Sequence, residues 1–204
     1  MTLNFSTLPG RSRPVYERRF GVATLAAVLA VIALGAAPSV AQAQNGDSVI
    51  VDARDAFRKK DTKRLAALRA TAVGMNHPLA MWADYWELNA RLAEVQQPEV
   101  DRFSARWSGS YVDDRFRNDW LLELGRRRDW ANFIVEYPRF KFNDDREVSC
   151  YALLTDHLGG KDVTEAARAA WFGQRDADDG CALLAQTLTD AKLFTPADAW
   201  RQAR

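Results

Sequence analysis

Apolar residues along this chain recur at helical spacing. The plainest stretch is 110–138, SYVDDRFRNDWLLELGRRRDWANFIVEYP. Val112, Phe116, Trp120 and Leu124 fall four residues apart, one stripe along a helix. Ser110 followed three residues later by Asp113 reads as a capping box. Gly125 suits the left-handed position just past a helix C-terminus. Arg126, Arg127 and Arg128 stand where cations complement the helix dipole. Asp129 then caps a second helix, with Trp130, Phe133, Ile134 and Tyr137 on its apolar face and Pro138 as its stop. The stretch predicts a helical hairpin with no reactive chemistry.

The same reading extends to both sides. Residues 44–47 predict a frayed start, and 48–59 a helix with Val51 and Phe57 among its apolar positions. Asp61 caps a second helix to about Val73, with Leu65 and Leu68 inward. After a break at 74–77, Pro78 opens a third helix to about Val95, carrying Leu79, Trp82, Trp86 and Leu92, with Tyr85 and Leu88 widening the face. Gln97-Pro98 opens a shorter one with Val100, Phe103 and Trp107, ended by Gly109. Beyond the hairpin, 140–145 is a polar connection. Residues 147–158 predict a helix with Val148, Tyr151, Leu154 and Leu158 on one side, ended by Gly159-Gly160. Asp162 and Glu165 form a second capping box, before a small-residue face of Val163, Ala166, Ala167, Ala170 and Trp171. A turn at 173–180 precedes a helix over 181–193, and Thr195-Pro196 starts another. No strand pattern intervenes, so the predicted class is all-α.

The caps at Asp61, Gln97, Asp129, Asp162 and Thr195 are spaced by 36, 32, 33 and 33 residues. Leu124-Gly125 and Leu158-Gly159 lie 34 apart. Helical hairpins at this period predict a degenerate tetratricopeptide-like array, a superhelix of hairpins. An irregular helical bundle is the alternative. In such an array the first helices of successive hairpins are neighbours, which places Cys150 beside Cys181. The array stops inside a helix at Arg204 without a polar capping repeat, as a shortened piece of a longer superhelix would.

The N-terminal segment changes the picture. Arg11, Arg13, Arg18 and Arg19 precede an apolar or small run at 20–37, and Ala41-Gln42-Ala43 is an A-x-A site. Residues 1–43 therefore read as a signal peptide cleaved between Ala43 and Gln44, leaving 44–204 as an exported, periplasmic domain without a stable membrane span. An uncleaved anchor is the alternative. Of 28 basic and 27 acidic residues, four Arg and Glu17 fall within 1–43, leaving 24 and 26 and a net charge of −2. That gives no basic field for nucleic acid. Two cysteines in an exported chain favour a Cys150–Cys181 disulfide; two buried thiols are the alternative.

Candidate chemistry is sparse. His77 and His157 are the only histidines, and neither has Cys or carboxylate partners at metal-ligand spacing. Asp113-Asp114, Asp144-Asp145 and Asp178-Asp179 are paired carboxylates that caps and solvated loops explain. Trp82, Tyr85 and Trp86 suit either a core or a sugar-stacking face. No catalytic, cofactor or metal motif emerges.

Specific residues nevertheless carry a likeness. His77-Pro78-Leu79 with Tyr85 and Leu88, then Phe103, the run from Ser110 through Trp120-Leu121, Leu124-Gly125, Asp129-Trp130 and Phe133, and finally Cys150-Tyr151, Ala166, Ala170-Trp171 and Cys181, resemble in order the periplasmic soluble lytic murein transglycosylases. The resemblance spans about 48–204 and is most specific around 119–130. It implies an α-superhelical ring preceding a lysozyme-like domain. That domain cleaves the MurNAc–GlcNAc β-1,4 bond of peptidoglycan to 1,6-anhydro ends, with one Glu of a Glu-Ser motif as acid and then base. One carboxyl group suffices because the sugar's own 6-hydroxyl replaces water. No Glu in this chain is followed by Ser, so no catalytic residue is carried over. The turn before Cys181 also lacks the expected proline. The resemblance thus implies a non-catalytic superhelical portion, inactive alone, whose partners are glycan strands of peptidoglycan and periplasmic cell-wall proteins. A stand-alone periplasmic module binding protein partners is the rival reading.

Overall fold

Helix α1 (Val40–Arg58) opens the part of the chain that the computed structural model describes: backbone for residues 40–202 and side chains for 46–202. Most of the expected signal peptide lies outside the described residues. The expected fraying at 44–47 is not seen; the helix runs through it. His77 holds this end, its ring against Gly46 and its Nε2 3.0 Å from the Asp47 carboxylate.

Nine more helices follow. They are α2 (Thr62–Gly74), α3 (Ala80–Ala90), α4 (Gln97–Trp107), α5 (Tyr111–Arg127), α6 (Trp130–Glu136), α7 (Arg146–Leu158), α8 (Thr164–Phe172), α9 (Asp179–Asp190) and α10 (Pro196–Gln202). Short 3-10 turns at Leu92–Glu94 and Tyr137–Arg139 follow α3 and α6. No strand occurs among the described residues, and no helix among them is long and apolar enough to cross a membrane. The chain is all-α there.

Sequence-local caps decide most boundaries. Asp61, Ser110, Asp129, Asp145 and Asp178 each accept a hydrogen bond from a backbone N–H in the first turn of the following helix. Two expected caps shift. Gln96, not Gln97, caps α4, in a reciprocal box with Glu99. Val163 sits at the cap of α8, because Asp162 turns back onto the Thr164 N–H while Glu165 pairs with Arg168. Helix α3 stops five residues short of Val95. Arg91 leaves the helical region to bridge Glu87 and Glu99.

The core is three apolar clusters in chain order. The first is alanine-rich and joins α1 to α3 through Ile50, Ala53, Leu65, Ala72 and Ala83. The central one gathers Tyr85, Phe103, Phe116, Trp120, Phe133 and Tyr151. The third surrounds Cys150 and Cys181 with Leu154, Leu184, Leu188 and Phe194. Trp86 and Trp107 touch both the first and second clusters, and Trp130 and Leu183 both the second and third. Val51, Ile134 and Leu158, expected to face inward, are more than half exposed. Ile50 and Ala53 carry the inner face of α1 in place of Val51.

Helix α5 is the central element. Its predicted stripe of Val112, Phe116, Trp120 and Leu124 is fully buried. Gly125 does not end it: α5 continues to Arg127, and Arg128 takes the left-handed conformation at φ 58°. The Tyr151 ring lies flat against Gly125, where a Cβ would overlap its carbon atoms. The glycine is there for close helix approach. A Gly125→Ala chain is expected to lose about 1–3 kcal/mol to overpacking, against roughly 1 kcal/mol gained in helix propensity. The urea midpoint measures this, and a variant more stable than the parent would refute it. Tyr151 cannot yield cheaply, being 2% exposed.

Candidate functional site

Polar and charged side chains surround the apolar stripe of α5 and are buried with it. Asp113, Asp114, Arg117, Asn118, Asp119 and Glu123 are each under 10% exposed. Water reaches α5 chiefly along Tyr111, Arg115, Leu122 and Arg126. Two cavities open on this strip.

One, of about 240 Å³, lies beside Asn89, Asp119, Glu123, Glu147, Tyr151 and Asp179. Asp119 accepts hydrogen bonds from the Tyr85 hydroxyl at 2.7 Å and from Asn89 Nδ2 at 2.9 Å. Burial holds its carboxyl above the ordinary range and, with Asp119 beside it, pushes the Tyr85 hydroxyl up to about 12. Burial raises Glu147 as well, and the neighbouring Asp178 and Asp179 add to it. Glu123 goes the other way, lowered by its bonds to Arg126 and Arg127. Raised carboxyls in a cavity are the usual mark of acid–base machinery. Here Asp119 is engaged by α3, and Glu147 takes the Tyr151 hydroxyl at 3.2 Å. The cleft is acidic, with no Ser, Thr, Cys, His or Lys among its lining residues.

The other cavity, of about 210 Å³, lies between Tyr111, Arg115, Asn118, Phe140, Phe142 and Asp144. Tyr111 and Phe142 face each other with ring centroids 5.3 Å apart and planes at 45°. Tyr111 also meets Trp82 at 6.1 Å, Trp82 meets Trp86 at 6.0 Å, and Trp86 stacks on Phe57 at 6.3 Å. An aromatic row thus runs from α1 across α3 and α5 to the connection after α6. Sequence reasoning missed Tyr111 and Phe142. The available signal was two phenylalanines, Phe140 and Phe142, in an otherwise polar connection.

No family model, curated protein or solved structure matches the chain.

The residues singled out from sequence separate into distinct roles. Cys150 on α7 and Cys181 on α9 stand at disulfide distance, their Cα atoms 4.9 Å apart. Of the aromatic trio, Tyr85 is buried and bonded to Asp119, whereas Trp82 and Trp86 are half-buried members of the row. The arginine run divides too. Arg127 donates to the Leu92 and Val95 carbonyls, lies 4.9 Å over the Trp120 ring and pairs with Glu123, so it closes the turn after α3. Arg126 pairs with Glu123 at the surface, and Arg128 forms the left-handed C-cap.

Asp145 and Asp178 are helix caps, but the Asp113-Asp114 pair is more than that. Asp113 accepts from the Ser104 hydroxyl, and its reach back is to the Gly109 N–H instead of that of Ser110. Asp114 accepts the N–H groups of Lys141 and Phe142, both at 2.8 Å. A third cavity, of about 320 Å³, is lined by arginines, of which Arg69, Arg91 and Arg106 are ion-paired. Asp84 takes Arg69, Arg106 and the Trp107 indole N–H, tying α2, α3 and α4 together. Among the described residues no group of three or more His, Cys, Asp or Glu is placed to hold a metal ion.

Proposed function

We propose that this chain is the N-terminal, non-catalytic superhelical portion of a peptidoglycan lytic transglycosylase, exported to the periplasm. The residue likeness to that family suggests it. The observation that carries it is the core: three apolar clusters in chain order, each joined to the next by shared tryptophans or leucines. Hairpins stacked as a superhelix bury their apolar faces in this serial way, each covering its neighbour. The pairing of α7 with α9, the first helices of successive hairpins in the predicted array, supports the same reading. In this role the chain is scaffold and guide, and a lysozyme-like domain supplies the catalytic glutamate.

Three measurements test it. The reading frame beyond Arg204 is expected to continue into a Glu-Ser-bearing lysozyme-like domain; a stop followed by an unrelated gene would overturn the assignment. Incubated with purified sacculi, the chain alone is expected to release no anhydro-muropeptides, and their appearance would place the chemistry in this chain after all. Mass spectrometry of the exported form is expected to find Gln44 as its first residue.

The rival reading, a stand-alone periplasmic module that binds proteins, draws on the exposed Ile134 and Val135 of α6. The same reading frame separates the two.

A further inference from the structure

We propose that the arginine-lined cavity between α2, α3 and α4 binds the phosphate group of a small soluble phosphomonoester. Such a role is separate from the scaffold and does not depend on it.

The charge comes together from three stretches of chain. Arg102 and Arg106 fall four residues apart on α4, so they share one face of that helix. Like charges at this spacing repel, at a cost of about 0.2–0.5 kcal/mol. Arg69 of α2 and Arg91, just past α3, line the same cavity of about 320 Å³. Leu88 and Phe103, both buried, give it an apolar wall. Beside such a wall a hydrogen bond is stronger than in water.

The balance of donors and acceptors points to a ligand. Four arginines and three carboxylates line the cavity, which leaves one positive charge. Every carboxylate oxygen already has a donor. Asp84 takes Arg69 on Oδ1, and Arg106 with the Trp107 indole N–H on Oδ2. Both Glu87 oxygens take Arg91. Glu99 takes Arg91 on Oε1 and the Gln96 N–H on Oε2. The arginines are not filled in the same way. Arg106 uses only Nη1 on Asp84, and Arg69 only Nε and Nη2. Arg102 makes no ion pair or side-chain hydrogen bond among the described residues. The bonds from Arg91 hold the Glu99 carboxyl below the ordinary range, and Arg102 acts on it only through its charge. Donors are therefore in surplus, and an acceptor-rich anion would use them.

The arrangement suits phosphate better than a carboxylate. One planar guanidinium fork suffices for a carboxylate. Here spare N–H groups come from α2 and from two turns of α4, and a tetrahedral oxyanion offers acceptors in more than one plane. Two of the arginines are also fixed in advance. Asp84, 2% exposed, holds Arg69 at 2.7 Å and Arg106 at 2.9 Å from the buried side. Groups ordered before binding lose little entropy when the ligand arrives. The volume is that of a small-molecule site.

Titration calorimetry of the full chain with glycerol 3-phosphate, at fixed ionic strength, tests this. Saturable binding, millimolar or tighter, is expected, weakened about tenfold in Arg102→Gln, which removes a charged donor. Arg102 is exposed, so this variant is expected to keep the parent's melting temperature. Arg102→Lys keeps the charge without the fork and is expected to fall between the two. Arg54→Gln removes an exposed arginine of α1 outside the cavity and is expected to bind as the parent does. No saturable binding by the parent, or unchanged binding by Arg102→Gln, would overturn the proposal. An equal loss in Arg54→Gln would do so too, since it would mean diffuse attraction to surface charge. So would succinate binding as tightly as glycerol 3-phosphate, or binding to phosphatidylglycerol vesicles alone.

Discussion

Arg117→Met is expected to destabilise the chain by about 3–5 kcal/mol, the cost of breaking a buried ion pair by removing one partner. Arg117 on α5 pairs with Glu136 on α6 and also reaches Asp113 and the Ser104 hydroxyl. Glu136 is 1% exposed. Without the guanidinium, two carboxylates remain buried near each other. Gln97 at 2.9 Å and Arg139 at 3.1 Å compensate Glu136 only in part, since Arg139 is half in solvent. Adding Glu136→Gln removes one stranded charge while keeping an acceptor for both remaining donors, so the double variant is expected to recover much of the loss. Urea denaturation of the two single variants and the double completes the cycle. A single variant within about 1 kcal/mol of the parent would mean that water already screens the pair, as at an exposed bridge.

Separating Cys150 from Cys181 is expected to cost about 3–4 kcal/mol, the loop-closure entropy of a crosslink across 31 residues. Both residues are fully buried between α7 and α9. A Cys150→Ala, Cys181→Ala chain should show that loss as a lower urea midpoint under oxidising conditions. For the parent, reduction by dithiothreitol should be slow without denaturant and fast in its presence, because the reductant must wait for the helices to open. Equal midpoints for parent and double variant would show that the two side chains act only as packing. A compartment that keeps thiols reduced forfeits this contribution.

The apolar half of the fold was legible in the sequence. The stripe from Val112 to Leu124 announces itself by period alone, and Asp61, Ser110 and Asp129 cap where their local pattern puts them. The polar half was not. Asp113, Asp114, Arg117 and Asp119 look like the solvated side of an amphipathic helix. Each is buried because a partner arrives from elsewhere: Glu136 from 19 residues downstream, Tyr85 from 34 upstream, the Lys141 N–H from 27 downstream. Nothing local signals such partners. Gly125 misled for a related reason. Glycine serves both a left-handed cap and a close helix crossing, and only the position of Tyr151 separates the two. The Tyr111–Phe142 cleft was hidden because one ring opens a helix and the other lies in a connection that looked purely polar.

The serial core also bears on the order of folding. Its first cluster draws on residues 49–107, the second on 81–183 and the third on 130–194. The first and third close over shorter spans than the second, and contacts of short sequence separation form early and fast. A chain emerging N-terminus first can therefore complete its alanine-rich cluster before Cys181 has appeared. Trp86 and Trp107 would wait on its surface as the seam for the next cluster. Disulfide closure then comes last, as a latch on helices already in place.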